Sequence, residues 1–589
     1  MKIFEAHISY LVENFFKQII KETATLVEVN NILQITSGIN KFFDSEAELT
    51  ELKEKIFIDY NLVEEPDRTE YGDFQTNSEL GFKITQYLSK QIKAPEILIE
   101  PTCGKGNFII AALKSFSTLK NIYGIEIYKP YVWETKFSIL NYFLQNSNAN
   151  KPDIKIRHYN IFDFDFTQIA SKSSDKNILI IGNPPWVTNS MLGSLNSSNL
   201  PSKSNFKKHS GLDAMTGKGN FDIAEYITLM MLNSFQNLNG TLVFLVKNSV
   251  IKNLVFDQKK NNYKIDKLEK HCIDSKKEFN VSVDAAMLFC ELNSNPSFEC
   301  KEFDFYNNKK PNQSFGWIED KFVSNIETYV HSKNIDGQCA FEWRQGLKHD
   351  CSSIMEFDKV NCFYVNALNE NAELEEDLIY GILKSSDLKN TVITNPRKYT
   401  IVTQKKVGQE TFYIKNNFPK TYQYLLNHQN SFDTRKSSIY KDKPLFSIFG
   451  IGDYSFKPYK VVISGLYKTF HFSLVLPQNN KPIMLDDTCY MLGFDNIDFA
   501  VYTFILLNLE ITKRLLQSIT FSDAKRTFTK DVLMRMDIQK LSKQISLNEL
   551  EIEIKKLNAK HNLKADLSSW ANYIKQITPI RIEQIKMFA

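Results

Sequence analysis

The chain has 589 residues, 43% hydrophobic and 24% charged, with a net charge of +4. That length exceeds what one hydrophobic core spans, so two or three domains are expected, and so small a net charge means that any basic surface is local. No apolar run approaches the roughly 20 residues of a membrane helix, and eight scattered cysteines without C-x-x-C or paired histidines fit neither a disulfide framework nor a zinc site.

That cysteine pattern points to a reducing cytoplasm, and no metal is expected. Residues 1–70 read as helices, because "HISYLVENFFKQII" and "EAELTELKEKIF" space their apolar residues by three and four. Glu5 and Glu13 argue against a secretory signal there. From about 95 to 290, short apolar runs alternate with helical segments. "EILIE" (96–100), "NIYGIEI" (121–127), "DIKIRHYNIF" (153–162), "NILIIGN" (177–183), "GTLVFLV" (240–246) and "SVDAAMLFCEL" (282–292) predict the strands of an α/β sheet with helices on both faces. The polar stretch from Ser190 to Asn220 is too long for a simple connection and reads as a disordered or binding loop. Beyond about 310, Tyr, Phe, Lys and Arg interleave in strand-like pieces up to about 490, and helical patterns follow.

"ILIEPTCGKGNFIIAAL" is a strand, a glycine loop and a helix. Gly104 and Gly106 permit a tight turn and close approach of backbone to a ligand at the sheet's carboxyl edge. Glu126, twenty residues after Gly106, is placed to accept both hydroxyls of a ribose. The missing third glycine disfavours a pyrophosphate, so the pair reads as a site for a nucleoside-containing cofactor. In "IIGNPPWVTNS" two prolines end a buried strand, because neither can donate a ladder hydrogen bond. The Asn183 side chain and the Pro184 carbonyl can then accept two hydrogen bonds from one amino group. An amine conjugated to an aromatic ring is a poor nucleophile, and two such acceptors favour a tetrahedral nitrogen with its lone pair freed. Pro184 and Pro185 hold the acceptors rigid. Trp186 offers a flat face for a planar base, a stack worth about 1–3 kcal/mol.

On these residues the chain resembles the amino-methyltransferases of bacterial restriction-modification systems, which transfer methyl from S-adenosyl-L-methionine to adenine N6 in DNA. The order of its motifs is similar to that of the gamma group, and the resemblance covers roughly residues 71–535. It implies a Rossmann-like S-adenosylmethionine-dependent methyltransferase sheet, an N-terminal helical segment (1–70), a catalytic domain (71–310) and a mixed α+β target-recognition domain ending in helices (311–589). "YGDFQT" (71–76) resembles the cofactor-closing segment, with Thr76 near the methionine carboxylate. Glu100, Thr102, Gly104 and Gly106 match the first cofactor motif, and Glu126 the ribose-binding acid. Asn160, Ile161 and Phe162 match the contact to the cofactor's adenine, with Asp163 as another register, and Asn183 also borders the cofactor. "GKGNFDIAEYI" (217–227) resembles the helix closing the cofactor's far side, where Asp222 and Glu225 also read as a capping box. "KKEFNVSVDAAMLF" (276–289) matches a β-hairpin that sets Phe279 opposite Trp186, either against an extruded base or as a core phenylalanine.

The target must flip out of the duplex to reach the cofactor, at a cost of a few kcal/mol. No general base is needed, since the methylated nitrogen gives its proton to water, and Cys103 beside the cofactor reads as packing rather than as a nucleophile. In the second half Arg344, Lys348, Arg397, Arg435 and Lys436 are the expected contacts to double-stranded DNA. The implied partner is a restriction endonuclease encoded separately, with no membrane involved. A fused nuclease would need an acid followed by E-x-K on a strand, which is absent near Pro66. Small-molecule and protein-glutamine methyltransferases lack the long basic C-terminal half. A catalytically silent DNA-binding subunit has no reason to keep Glu126, Asn183 and Trp186 together. Methylation of cytosine N4 stays open as the other target.

Overall fold

The computed structural model describes residues 2–3, 6–20, 24–56, 75–187, 222–307, 310–361, 363–467, 470–521 and 526–578. The Ser190–Asn220 loop, residues 71–74, residues 217–221 and Cys362 lie outside the described residues, as do Asp523–Lys525 of the basic segment. The chain divides into two compact units, residues 1–322 and 323–589.

The first unit is built on one ten-stranded sheet. Its strands are β1 (Ile97–Glu100), β2 (Asn121–Glu126), β3 (Asp153–His158), β4 (Ile178–Gly182), β5 (Gly240–Lys247), β6 (Ile265–Cys272), β7 (Ala285–Leu292), β8 (Glu299–Asp304), β9 (Gln313–Ile318) and β10 (Lys321–Val323). Their order across the sheet is β3-β2-β1-β4-β5-β7-β6-β8-β9-β10. Strands β1 to β5 run parallel, and β7 is inserted antiparallel between β5 and β6. Every residue of β1 and β4 is buried, as parallel strands covered on both faces require, and this accounts for the apolar runs Ile97–Ile99 and Ile178–Gly182. The Rossmann-like α/β fold expected from the sequence is the fold observed.

Helices α1 (Tyr10–Ile19), α2 (Leu26–Ser37), α3 (Glu46–Lys55) and α4 (Ser78–Gln91) precede the sheet, and α5 (Asn107–Ser115), α6 (Lys129–Gln145), α7 (Ile223–Phe235) and α8 (Asn248–Asn261) are interleaved with it. The caps are legible in the residues. Asn77 accepts from Leu80 N at 2.7 Å to start α4, and Asp222 accepts from Ala224 N at 3.0 Å to start α7. This is a plain N-cap on the second helical residue rather than the expected capping box: Glu225 accepts a bond from Asn253 Nδ2 at 3.1 Å, and Asp222 also takes Lys247 Nζ at 2.6 Å. Strand order reverses between β1 and β4, and a crevice opens beyond the carboxyl ends of strands at such a switch point. Glu100 and Asn183 stand at those two ends.

The second unit holds a five-stranded and a six-stranded sheet between Arg344 and Phe494, then helices that include Ile497–Leu507, Glu510–Ile519 and Leu547–His561. The apolar segment near Val501 is the first of these helices. It spans 11 residues and is buried nearly all round, a core element rather than a membrane span. Among the described residues no helix is long and apolar enough to cross a membrane.

Candidate active site

The glycine loop between β1 and α5 is shaped by two residues in the left-handed region, Gly104 (φ 50°) and Gly106 (φ 77°). A Cβ on Gly104 would lie 2.5 Å from Gln75 Oε1, and one on Gly106 would lie 2.8 Å from Thr135 Cγ2, so only glycine fits either place. The loop is tied down from three sides. Cys103 N donates to Ile125 O at 2.9 Å, Thr135 Oγ1 donates to Gly104 O at 2.9 Å, and Gly104 N donates to Glu126 Oε2 at 2.8 Å. Tyr128 N donates to the other oxygen of Glu126, also at 2.8 Å. The ribose-binding acid expected from the sequence is thus also the latch of the loop.

A pocket opens at this edge. Of the residues named from the sequence it is lined by Thr76, Glu100, Thr102, Gly104, Glu126, Asn160, Ile161, Phe162, Asn183 and Pro185. Gly106 sits behind it as the N-cap of α5. Asn160 Oδ1 accepts from Phe162 N at 3.1 Å and opens a short 3-10 turn at Ile161–Asp163. Asp163 is exposed and is not among the lining residues. Gln75, Asn107, Tyr128, Tyr131 and Tyr159 also line the pocket and were not singled out by sequence. Gln75 lies inside the "YGDFQT" segment, where only Thr76 was singled out, and the three tyrosines follow no spacing rule.

Glu100 is 2% exposed, and its Oε2 and the buried Oγ1 of Thr102 have no hydrogen-bond partner among the described residues. Burial first, and the neighbouring Glu126 carboxylate second, hold the Glu100 carboxyl well above the usual carboxylate range. Burial, with the same two acids, pushes the Cys103 thiol up, which disfavours the thiolate.

Asn183 follows β4 directly. Its Nδ2 donates to Thr76 Oγ1 at 3.3 Å, which puts the side-chain carbonyl oxygen on the opposite side of the amide. Asn107 Nδ2 donates to the Thr76 carbonyl at 2.7 Å, so Thr76 joins the end of β4 to the start of α5. Pro184 is buried and, unlike Pro185, is not among the residues that line the pocket. Trp186 is 5% exposed, and its indole N–H donates to Leu245 O on β5 at 3.1 Å. Phe279 does oppose Trp186, but the local structure differs from the expected hairpin. Phe279 ends a short helix, Ser275–Phe279, capped by Asp274 and closed by Asn280 in the left-handed region. The two rings touch edge to face with centroids 5.0 Å apart. A base between two rings needs roughly 7 Å, two contacts of about 3.5 Å, so this pair has no base-wide gap between its rings.

No family model matches the chain. Over 491 residues it is 39% identical to the Type II methyltransferase M.NspV of Nostoc sp. (strain ATCC 29411 / PCC 7524), a match that covers 82% of this chain and 99% of that protein. The chain belongs to the type II methyltransferases. Among solved structures it is similar to the type IIL restriction-modification enzyme MmeI in complex with DNA (TM-score 0.49, 12% identity, 97% of this chain and 78% of that one). It is also similar to the DrdV–DNA complex (TM-score 0.41, 11% identity, 88% and 59%).

The cofactor of this type II methyltransferase is S-adenosyl-L-methionine, and the pocket suits it. Two orphaned buried oxygens, on Glu100 and Thr102, call for hydrogen-bond donors, and two close carboxylates call for positive charge. The methionine ammonium and the sulfonium supply both.

The five basic residues named for DNA contact all lie in the methyltransferase's second unit. Arg344 is exposed, pairs with Glu342 and lies 5.2 Å over Tyr454. Lys348 approaches Asp350 at 3.4 Å, Arg397 is exposed and meets Asp387 at 3.2 Å, and Lys436 is exposed. Arg435 differs from the other four. Its guanidinium stacks 3.6 Å over Tyr440 and donates to the carbonyls of Phe432 (3.0 Å) and Ser447 (2.7 Å). It is a clasp within the protein, since planar stacking and multiple donors suit arginine to that use. Arg435→Ala should lower unfolding stability by about 1–3 kcal/mol in urea denaturation by orphaning those acceptors, with DNA affinity unchanged.

Proposed function

We propose that the protein transfers a methyl group from S-adenosyl-L-methionine to the N6 amino group of an adenine flipped out of duplex DNA. It acts as the modification component of a restriction-modification system, with motifs in the gamma order and a separately encoded endonuclease as its counterpart. The observation that carries this reading is the position of Asn183: an amide acceptor on a rigid proline turn, joined through Thr76 to the cofactor pocket.

The cofactor supplies an electrophilic methyl group. Glu126 accepts the ribose hydroxyls, Glu100 and Thr102 face the methionine amine, and Thr76 lies near its carboxylate. Asn160, Ile161 and Phe162 meet the adenine ring, and Gly104 and Gly106 give the backbone room to approach. The Asn183 oxygen and the Pro184 carbonyl accept the two N–H groups of the target amine, which draws its lone pair out of conjugation. Pro185 and Trp186 form the wall for the target base, and Phe279 packs against the extruded base from the side opposite Trp186. After transfer the N6 proton leaves to water, so no side chain is needed as a base. Arg344, Lys348, Arg397 and Lys436 contact the duplex, mostly at phosphates.

The test is sequencing of modified bases in DNA from cells that express the protein. The expected result is N6-methyladenine at one recognition sequence, absent with Asn183→Ala. N4-methylcytosine in its place would overturn the choice of base, and no methylation at all would overturn the activity.

A further inference from the structure

We propose that the N-terminal helices act as a buttress for the cofactor loop, and that Lys136 is the positioning residue through which they act. The proposal rests on the reading of the pocket as the site of S-adenosyl-L-methionine.

Helix α6 stands between two sets of contacts. Towards the pocket, Thr135 holds the Gly104 carbonyl at 2.9 Å and packs its methyl beside Gly106, while Glu134 pairs with Lys105 at 3.3 Å. Towards the N-terminal helices, the next residue, Lys136, is 1% exposed and donates to the Phe42 carbonyl at 2.7 Å. Its ammonium lies 4.7 Å over the Trp133 ring, with the Asp44 carboxylate 3.9 Å away. Successive helical residues point about 100° apart, so one turn of α6 grips both the loop and the N-terminal segment.

The far end of this grip is itself anchored. Gly38 (φ 76°) ends α2, and a Cβ there would lie 2.2 Å from the Pro152 carbonyl oxygen. Ile154 N donates to Gly38 O at 2.9 Å and Asn40 N to Ile154 O at 2.8 Å, so the segment extends the sheet beyond its edge strand β3. The segment is therefore fixed to the sheet by backbone bonds at Gly38 and Asn40, and two residues on, at Phe42, to α6 by Lys136. A buried ammonium is costly, and burial pulls its pKa below the ordinary lysine value. Methionine would fill the same space without that cost, but it would leave the Phe42 carbonyl without its donor. The charge is thus best explained by a need to fix the position of α6, and with it Thr135, Gly104 and the Glu126 carboxylate.

The experiment compares Lys136→Met, Thr135→Val and the double variant in the full chain. Affinity for S-adenosyl-L-methionine is read by calorimetry, and methyl transfer to DNA by kinetics. In each single variant the cofactor's Kd and KM should rise about tenfold, with kcat at saturating cofactor and DNA affinity unchanged. The double variant should be no worse than the weaker single, because both act along one chain of contacts. Should Lys136→Met give no folded protein, Lys136→Gln, which keeps a donor for the Phe42 carbonyl, takes its place and should show a smaller rise. Unchanged cofactor affinity in a folded Lys136 variant overturns the buttress. So does strict additivity in the cycle, or a parallel loss of DNA affinity, either of which means general loosening. A wild-type protein that binds no S-adenosyl-L-methionine overturns instead the reading of the pocket.

Discussion

Asn183→Ala should reduce methyl transfer to DNA by at least about a thousandfold, at the upper end of what removal of one preorganised polar group costs in a catalytic site. The variant removes the acceptor that draws the target amine out of conjugation and leaves the Pro184 carbonyl to act alone. Cofactor affinity should fall by less than about tenfold, because the variant breaks the 3.3 Å bond from Nδ2 to Thr76 but leaves Glu100, Glu126 and the glycine loop in place. The two effects separate in a single-turnover transfer assay run beside equilibrium binding of the cofactor. Asn183→Asp keeps an oxygen acceptor but loses the donor to Thr76, so it should lie between alanine and wild type. Transfer by the alanine variant at the wild-type rate would rule out the amide as the activating group. Loss of cofactor binding to the same degree as loss of transfer would make Asn183 a cofactor ligand and nothing more.

The parts of this site that are legible in sequence are those in which the backbone must do something unusual. Gly104 and Gly106 occupy the left-handed region, and Pro184 and Pro185 stop a buried strand, so residue type betrays the geometry. Glu100, Glu126 and Asn183 could be placed because each stands at the end of an apolar run. What could not be read depends on partners distant in the chain. Gln75 reaches the glycine loop across 30 residues, and the tyrosines at 128, 131 and 159 meet in the pocket only once the sheet is assembled. Arg435 looks like a surface cation in a basic stretch, and only Tyr440 and the carbonyls around it make it a clasp. Phe279 failed in a different way. Its contact with Trp186 was foreseeable, but "DSKKEFN" carries an N-cap and a left-handed C-cap, which make a helical turn where a hairpin was expected. The strand pairing of the second unit was beyond reach for the same non-local reason: Ile379–Leu383 pairs with Met484–Leu485, about a hundred residues away.

Glu126→Gln should weaken S-adenosyl-L-methionine binding by about a hundredfold, the combined loss of two charge-assisted hydrogen bonds to the ribose. The amide also brings an N–H group against the backbone N–H of Gly104 or Tyr128, so the glycine loop loses its latch. A second consequence follows through Glu100. In the wild type, burial and the Glu126 charge favour the protonated Glu100 carboxyl, whereas a cationic ligand beside it favours the carboxylate. Binding therefore releases a proton, and affinity rises with pH until the raised pKa of Glu100 is passed, then levels off. The folded-state pKa lies above the unfolded one, so without cofactor the stability contributed by Glu100 is full below the usual carboxylate range and is lost as pH rises through the raised value. The thermal shift produced by the cofactor should accordingly grow over that interval. In Glu126→Gln the second cause of the shift is gone, the Glu100 pKa falls, and the rise in affinity moves to lower pH. Calorimetry at a series of pH values, in buffers of different ionisation enthalpy, counts the protons released. Affinity independent of pH in the wild type, with no proton released, would mean that the ligand's cationic groups do not face Glu100.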